Sequence, residues 1–171
     1  MPLPNTDARI IDLATGKDLP QGHIGELLVK GPQIMRGYWG QENTPALQGG
    51  WLHTGDLAVM DADGFFQIIG RTSEIIVVDG QSIYPRDVEE VLYENNKVQE
   101  VAVIGVPGPD SRPIVKAFVV PRPGVELTQT ELLELCRRRL DKAAVPAIIE
   151  LRPELPKSSV GKVIRRALME S

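Results

Sequence analysis

The sequence is poor in several residue types, and each shortage excludes something. One cysteine, Cys136, in 171 residues forms no internal disulfide, so the fold is no disulfide scaffold and a reducing, cytoplasmic setting is expected. Two histidines, His23 and His53, are too few for a His-rich metal site, and no HExxH occurs; no metal site is expected. Basic residues are not in excess: 19 Lys and Arg stand against 23 Asp and Glu, a net charge of -4. Nucleic acids and anionic membranes both favour a basic face, so neither is an expected partner. No apolar run approaches the roughly 18–20 residues that span a bilayer. Met1-Pro2-Leu3-Pro4-Asn5 has neither a basic n-region nor an apolar h-region, so no secretory signal is expected. GxGxxG after a strand and GxSxG are missing too, and nothing in the sequence places a Ser-His-Asp triad around His53. Ser158-Ser159-Val160-Gly161-Lys162 resembles the end of a phosphate loop, but Pro156 stands where the first glycine belongs, and Val163 where Ser or Thr should follow.

What remains is the composition of a globular protein, 42% hydrophobic and 25% charged, with its glycines and prolines spread as turns. Residues 1–70 hold 4 basic and 8 acidic side chains, whereas residues 71–171 hold 15 of each. The local patterns change near the same point. Up to Gly70 the chain reads as short strands, at residues 8–11, 25–30, 57–60 and 65–69, separated by Gly, Pro and Asp turns. Asp61-Ala62-Asp63-Gly64 is a hairpin signal, because its glycine supplies positive φ. Beyond Gly70, strands alternate with helices. Ile75-Ile76-Val77-Val78 reads as a buried strand. Pro85 suits a first helical position, and Val88, Val91 and Leu92 form the stripe of a helix ending before Asn95. Strands follow at 98–106, 114–120 and 147–151. Thr128-Gln129-Thr130-Glu131 is a capping box for a helix that buries Leu132, Leu133, Leu135, Cys136 and Leu140. Val163, Ile164, Ala167 and Leu168 fit a short terminal helix. The expected fold class is α+β: a β-rich piece, residues 1–71, then a small mixed α/β domain, residues 72–171, whose sheet is flanked by helices.

Four segments carry polar groups suited to chemistry. Gly25-Glu26-Leu27-Leu28-Val29-Lys30-Gly31-Pro32 with Gly37-Tyr38-Trp39 reads as a strand and a turn. In Trp51-Leu52-His53-Thr54-Gly55-Asp56 the carboxylate either binds a vicinal diol such as ribose or closes a turn. In Gly70-Arg71-Thr72-Ser73-Glu74 the arginine either grips phosphate or ribose oxygens or pairs with Glu74. The basic stretch from Leu155 to Arg166 is either a site or a solvated turn and helix. Arg137-Arg138-Arg139 reads chiefly as a solvated helix face.

In order and spacing the four segments together resemble the C-terminal half of the adenylate-forming ligases, a group that includes acyl-CoA synthetases, peptide-synthetase adenylation domains and luciferases. The likeness runs along essentially the whole chain. Tyr84-Pro85-Arg86-Asp87-Val88-Glu89-Glu90-Val91-Leu92-Tyr93-Glu94 and Val101-Ala102-Val103-Ile104-Gly105-Val106-Pro107 look most like bacterial long-chain fatty-acid–CoA ligases. The resemblance implies an enzyme that joins a fatty acid to AMP from Mg-ATP and then to CoA, with ATP, Mg2+ and CoA bound mainly by upstream sequence. It implies that Asp56 binds the ribose hydroxyls, that Arg71 contacts the nucleotide nearby, and that Lys162 reaches the substrate carboxylate and α-phosphate. It also implies a hinge at Ser73, where most relatives carry Asp or Lys, and passage of the pantetheine arm beside Gly80. Asp79 and Ser82 depart from acetate-activating relatives, so no CoA-phosphate contact carries over to them. The family's ATP-phosphate loop, its Tyr-Gly-x-Thr-Glu segment and its acyl pocket lie upstream of the motifs present here. The 171 residues by themselves are therefore expected to be inactive. An acyl-AMP ligase that loads a carrier protein and a stand-alone nucleotide-binding module are the alternatives. A peptide-synthetase domain fits less well, because Val160-Gly161-Lys162-Val163-Ile164-Arg165 replaces its usual Asn-Gly-Lys-Val-Asp-Arg.

Overall fold

The structure, a computed structural model, describes residues 3–40 and 44–169. Contacts within the chain separate into two units, one ending at Ser73 and the other beginning at Glu74.

The first unit is an antiparallel sheet. Strands β1 (Asp7–Ile11), β2 (Gly25–Lys30), β4 (Trp51–Met60) and β3 (Leu47–Gln48) lie in the order β1-β2-β4-β3, and β5 (Phe66–Arg71) also pairs with β4. The β4–β5 hairpin turns at Asp61–Gly64 as its sequence predicts: Gly64 has φ +79°, and the Asp61 carboxylate accepts from the amides of Asp63 (3.0 Å) and Phe65 (2.8 Å). Ile10, Ile11, Leu28, Leu57 and Ala58 are its buried apolar side chains. At Gly25 a Cβ would stand 2.2 Å from the Ile11 carbonyl oxygen, so strand contact there admits glycine alone.

Strand β4 is longer than the expected 57–60. Thr54-Gly55-Asp56, read as a turn, stays inside the strand as a bulge. Glu26 pairs with Leu57 and Leu28 with His53, so one residue of β2 faces three of β4. Gly55, at φ +69°, absorbs the extra length without ending the strand.

The second unit is mixed. The expected strand at 75–78 is half of a small hairpin, β6 (Ile76–Val78) with β7 (Gln81–Ile83). Its turn residues Asp79 (φ +48°) and Gly80 (φ +82°) both have positive φ, the mark of a tight two-residue turn. It is not fully buried: Ile76 is inside, but Val77 on the opposite face is 49% exposed. A two-stranded ribbon offers only one face to a core. Helix α1 (Pro85–Tyr93) starts on its proline, and β8 (Val98–Pro107), β9 (Pro113–Pro121) and β10 (Ile148–Leu151) form a sheet in the order β10-β9-β8, with β10 parallel to β9.

Alternation along β8 and β9 divides this sheet into two buried faces. Val101, Val103, Val115, Ala117 and Val119 pack with Val88 and Leu92 of α1 and with Leu132 and Cys136 of α2 (Gln129–Arg139). Ala102, Ile104, Phe118 and Val120 point the other way and pack with Leu155 and with Leu168 of α3 (Arg165–Met169).

Half of the expected capping box forms at α2. Thr128 Oγ accepts from the Glu131 amide at 3.2 Å, but the Glu131 carboxylate turns to Asn95 Nδ2 (3.0 Å) and Lys97 Nζ (2.9 Å). A charged partner outcompetes a backbone amide, and those contacts hold the carboxyl below its ordinary pKa. Helix α3 begins at Arg165, later than expected, because Val163 bridges Lys157 and is held extended. Among the described residues no helix is long and apolar enough to cross a membrane.

Candidate functional site

In the first unit, Asp56 and Arg71 are directly opposed across β4 and β5, with Arg71 Nη1 2.9 Å from Asp56 Oδ1. The same nitrogen donates to the Thr54 carbonyl at 3.3 Å. Arg71 therefore pairs with Asp56 and not with Glu74, the partner that sequence proximity suggested. Its side chain is 58% exposed, so the pair itself adds little stability. It is a paired carboxylate and guanidinium open to solvent.

The bulge that carries Asp56 is pinned from β2. Glu26 Oε1 accepts from the Gly55 amide at 3.2 Å, and Oε2 accepts from His53 Nδ1 at 3.0 Å. Thr54 Oγ donates to the Leu27 carbonyl at 2.8 Å and accepts from the Asp56 amide at 3.0 Å. Glu26 is 13% exposed, and its two oxygens fix the backbone that an unpinned glycine would leave loose. In the sequence alone Glu26 reads as part of an ordinary strand. Its role depends on a register that brings together residues 27 and 29 positions apart.

In the second unit, Lys162 sits on a closed loop. The Ser158 amide donates to the Lys162 carbonyl (2.8 Å), the Gly161 amide to the Ser158 carbonyl (2.9 Å) and the Lys162 amide to Ser158 Oγ (3.2 Å). Gly161 supplies φ +79°. Lys157 Nζ reaches Glu100 Oε1 at 2.6 Å on the incoming side. On the outgoing side Arg165 meets Glu74 and Glu89. Lys162 is exposed and forms no ion pair among the described residues.

The basic stretch is thus not a uniformly solvated turn and helix. Lys157 and Arg165 are committed to carboxylates, and Lys162 between them is free to meet an anion. Burial works against the charge on Arg165, but Glu89 and Glu74 outweigh it and raise its pKa above the ordinary guanidinium value.

Ser73 is exposed in a single 3-10 turn, Thr72–Glu74, at the boundary between the units. Gly80 lies at the tip of the β6–β7 hairpin, where a Cβ would meet nothing within 4 Å. Within this chain it is the positive φ that calls for glycine. An open cleft of about 680 Å³ adjoins the hairpin, lined in part by Asp79, Gln81, Asp141 and Lys142. Arg137, Arg138 and Arg139 are exposed, and Arg139 pairs with Glu94 at 2.7 Å. Among the described residues no group of three or more His, Cys, Asp or Glu side chains is placed to hold a metal ion.

The family described as "AMP-binding enzyme" matches residues 1–39, and "AMP-binding enzyme C-terminal domain" matches residues 87–162. Over 99% of its length the chain is 45% identical to a long-chain-fatty-acid–CoA ligase of Escherichia coli O6:H1 and 47% identical to one of Bacillus subtilis 168. It spans 30% of the length of each. The crystal structure of ATP-bound MatB from Rhodopseudomonas palustris superposes with a TM-score of 0.92 at 34% identity, covering 98% of this chain and 34% of that one. The two AMP-binding family matches along the chain, with identity near 45% over its length, show that the chain belongs to the adenylate-forming, AMP-binding enzymes and carries their C-terminal portion.

Proposed function

We propose that this chain is the C-terminal part of an ATP-dependent ligase that converts a fatty acid to acyl-AMP and then to acyl-CoA in the cytoplasm. In this reading, residues 1–71 end the large nucleotide-binding domain and residues 72–171 form the mobile small domain. Lys162 carries the reading: it is an exposed ammonium on a loop whose flanking cations Lys157 and Arg165 are committed to carboxylates. In the first half-reaction a carboxylate attacks the α-phosphate of ATP, forming the acyl–phosphate bond and releasing pyrophosphate. Negative charge gathers between two anions, and an ammonium placed there lowers the barrier. Asp56 accepts hydrogen bonds from the ribose hydroxyls, with Arg71 holding the carboxylate and contacting the nucleotide. Magnesium enters with ATP and is assigned no residue of this chain.

In the second half-reaction the thiol of CoA attacks the acyl carbon and AMP leaves. Ser73 serves as the hinge between the two orientations, and Gly80 leaves room for the pantetheine arm. Because the chain spans 30% of the ligases it matches, the 171 residues alone are expected to make no acyl-CoA.

The test is product analysis. The full-length protein, given a fatty acid, Mg-ATP and CoA, should yield acyl-CoA, AMP and pyrophosphate in equal amounts, and the isolated chain none. Formation of acyl-AMP that discharges only onto a carrier protein would replace the CoA reading, and acyl-CoA from the isolated chain would refute the expected inactivity.

A further inference from the structure

Arg165 stands three residues beyond Lys162 and is paired with two carboxylates. Its Nη1 lies 3.3 and 3.2 Å from the two carboxylate oxygens of Glu74, and Nη2 donates to Glu89 Oε1 at 2.7 Å. That same Glu89 oxygen accepts from the Val103 amide at 2.9 Å. The side chains are 29%, 31% and 13% exposed for Arg165, Glu74 and Glu89, and the arginine is paired with both carboxylates. Arg165 Nε is buried without a partner, so the guanidinium is seated for its two carboxylates at the expense of a third donor.

The three anchor points belong to different parts of the unit. Glu74 is its first residue, directly after Ser73. Glu89 is on α1, and Val103 is on the central part of β8. One guanidinium therefore fastens the outgoing end of the lysine loop to the start of the unit, a helix and the sheet.

We propose that Arg165 is a positioning residue for Lys162: through Glu89 and Glu74 it fixes the loop's outgoing stem and ties it to the segment that follows Ser73. The inference rests on the role proposed for Lys162. An arginine is suited to this task because its planar fork meets two carboxylates at once, which a lysine ammonium on a flexible stem does less well. Without it, Glu74 and Glu89 would face each other with no cation between them, and Glu89 would be a covered, unpaired carboxylate.

The experiment uses the full-length ligase with R165A, R165K, K162A and the double variant K162A/R165A, and follows each half-reaction separately. R165A should lower kcat for acyl-AMP formation by about 10- to 100-fold, as displacement of a catalytic group by about an ångström does. Its KM for ATP and its thiolation of supplied acyl-AMP should stay near the unsubstituted values, and R165K should fall between. The double variant should be no slower than K162A. Hydrogen exchange should quicken at the Gly161 and Lys162 amides while the Val119 amide of β9 stays protected.

Equal loss of both half-reactions, the same R165A factor with and without Lys162, or unchanged exchange in the loop would each overturn the proposal. If R165A fails to fold, R165K decides by the same readouts. K162A that retains full adenylation would overturn the reading of Lys162 itself, and the exchange measurement would still report whether Arg165 holds the loop.

Discussion

In the first unit, Ile10, Ile11, Leu28, Leu57 and Ala58 are the buried apolar side chains, and Asp56 is held by a bulge that hydrogen bonds pin in place. In the second, apolar clusters cover both faces of the β8–β9–β10 sheet, and Lys162 stands on a loop fastened to that sheet and to α1 by ion pairs. The difference separates two ways of presenting a charge. With few buried side chains to stiffen the strand, the position of Asp56 depends on Glu26, Thr54 and the positive-φ backbone of Gly55. A large core can carry a loop that projects an ammonium, with Lys157 and Arg165 on either side of Lys162 held by carboxylates.

Breaking the larger core should have the largest effect on stability. Leu132→Ala removes a fully buried side chain between α2 and the sheet, and a loss of about 2–5 kcal/mol is expected. A denaturant titration followed by exchange should show the second unit opening while the first is unaffected.

A pH test sharpens the same contrast, because the second unit buries a thiol. Burial pushes Cys136 from 9.0 up to about 11. The folded state therefore favours the protonated thiol: its contribution is complete below pH 9 and is lost as pH rises toward about 11. Up to about 2–3 kcal/mol is at stake. Cys136→Ala should start less stable at pH 7 through lost packing, and the gap to the unsubstituted protein should narrow between pH 9 and 11. A constant gap would contradict burial of the thiol.

The smallest expected effect lies in the first unit. Glu26→Gln keeps the shape but removes the charge that holds the Gly55 amide and His53. A loss of about 1–2 kcal/mol is expected, together with a raised KM for ATP in the full-length enzyme. Glu26→Gln that changes stability but leaves the ATP KM alone would separate the bulge from nucleotide binding.

What the sequence makes legible follows the same division. Helices α1 and α2 and strands β8 and β9 announce themselves because their apolar spacing matches the faces they bury. The β4–β5 hairpin is legible from Asp61–Gly64. The bulge at Thr54-Gly55-Asp56 is not, because glycine at positive φ marks a turn and a bulge alike. The pairing of Arg71 with Asp56, instead of nearby Glu74, depends on strand register. The Arg165 contacts join residues 91 and 76 positions apart, and composition shows only a basic run. Motif order alone nominates Asp56, Arg71 and Lys162 as candidates, whereas the contacts made by Glu26, Glu74 and Glu89 depend on the fold.

The most direct measurement of the central claim compares the two half-reactions of Lys162→Ala in the full-length enzyme. Acyl-AMP formation should fall by at least about 10²–10³-fold, while conversion of supplied acyl-AMP and CoA to acyl-CoA proceeds near the unsubstituted rate. Equal loss in both steps, or full retention of the first, would contradict the assignment of this lysine to adenylation.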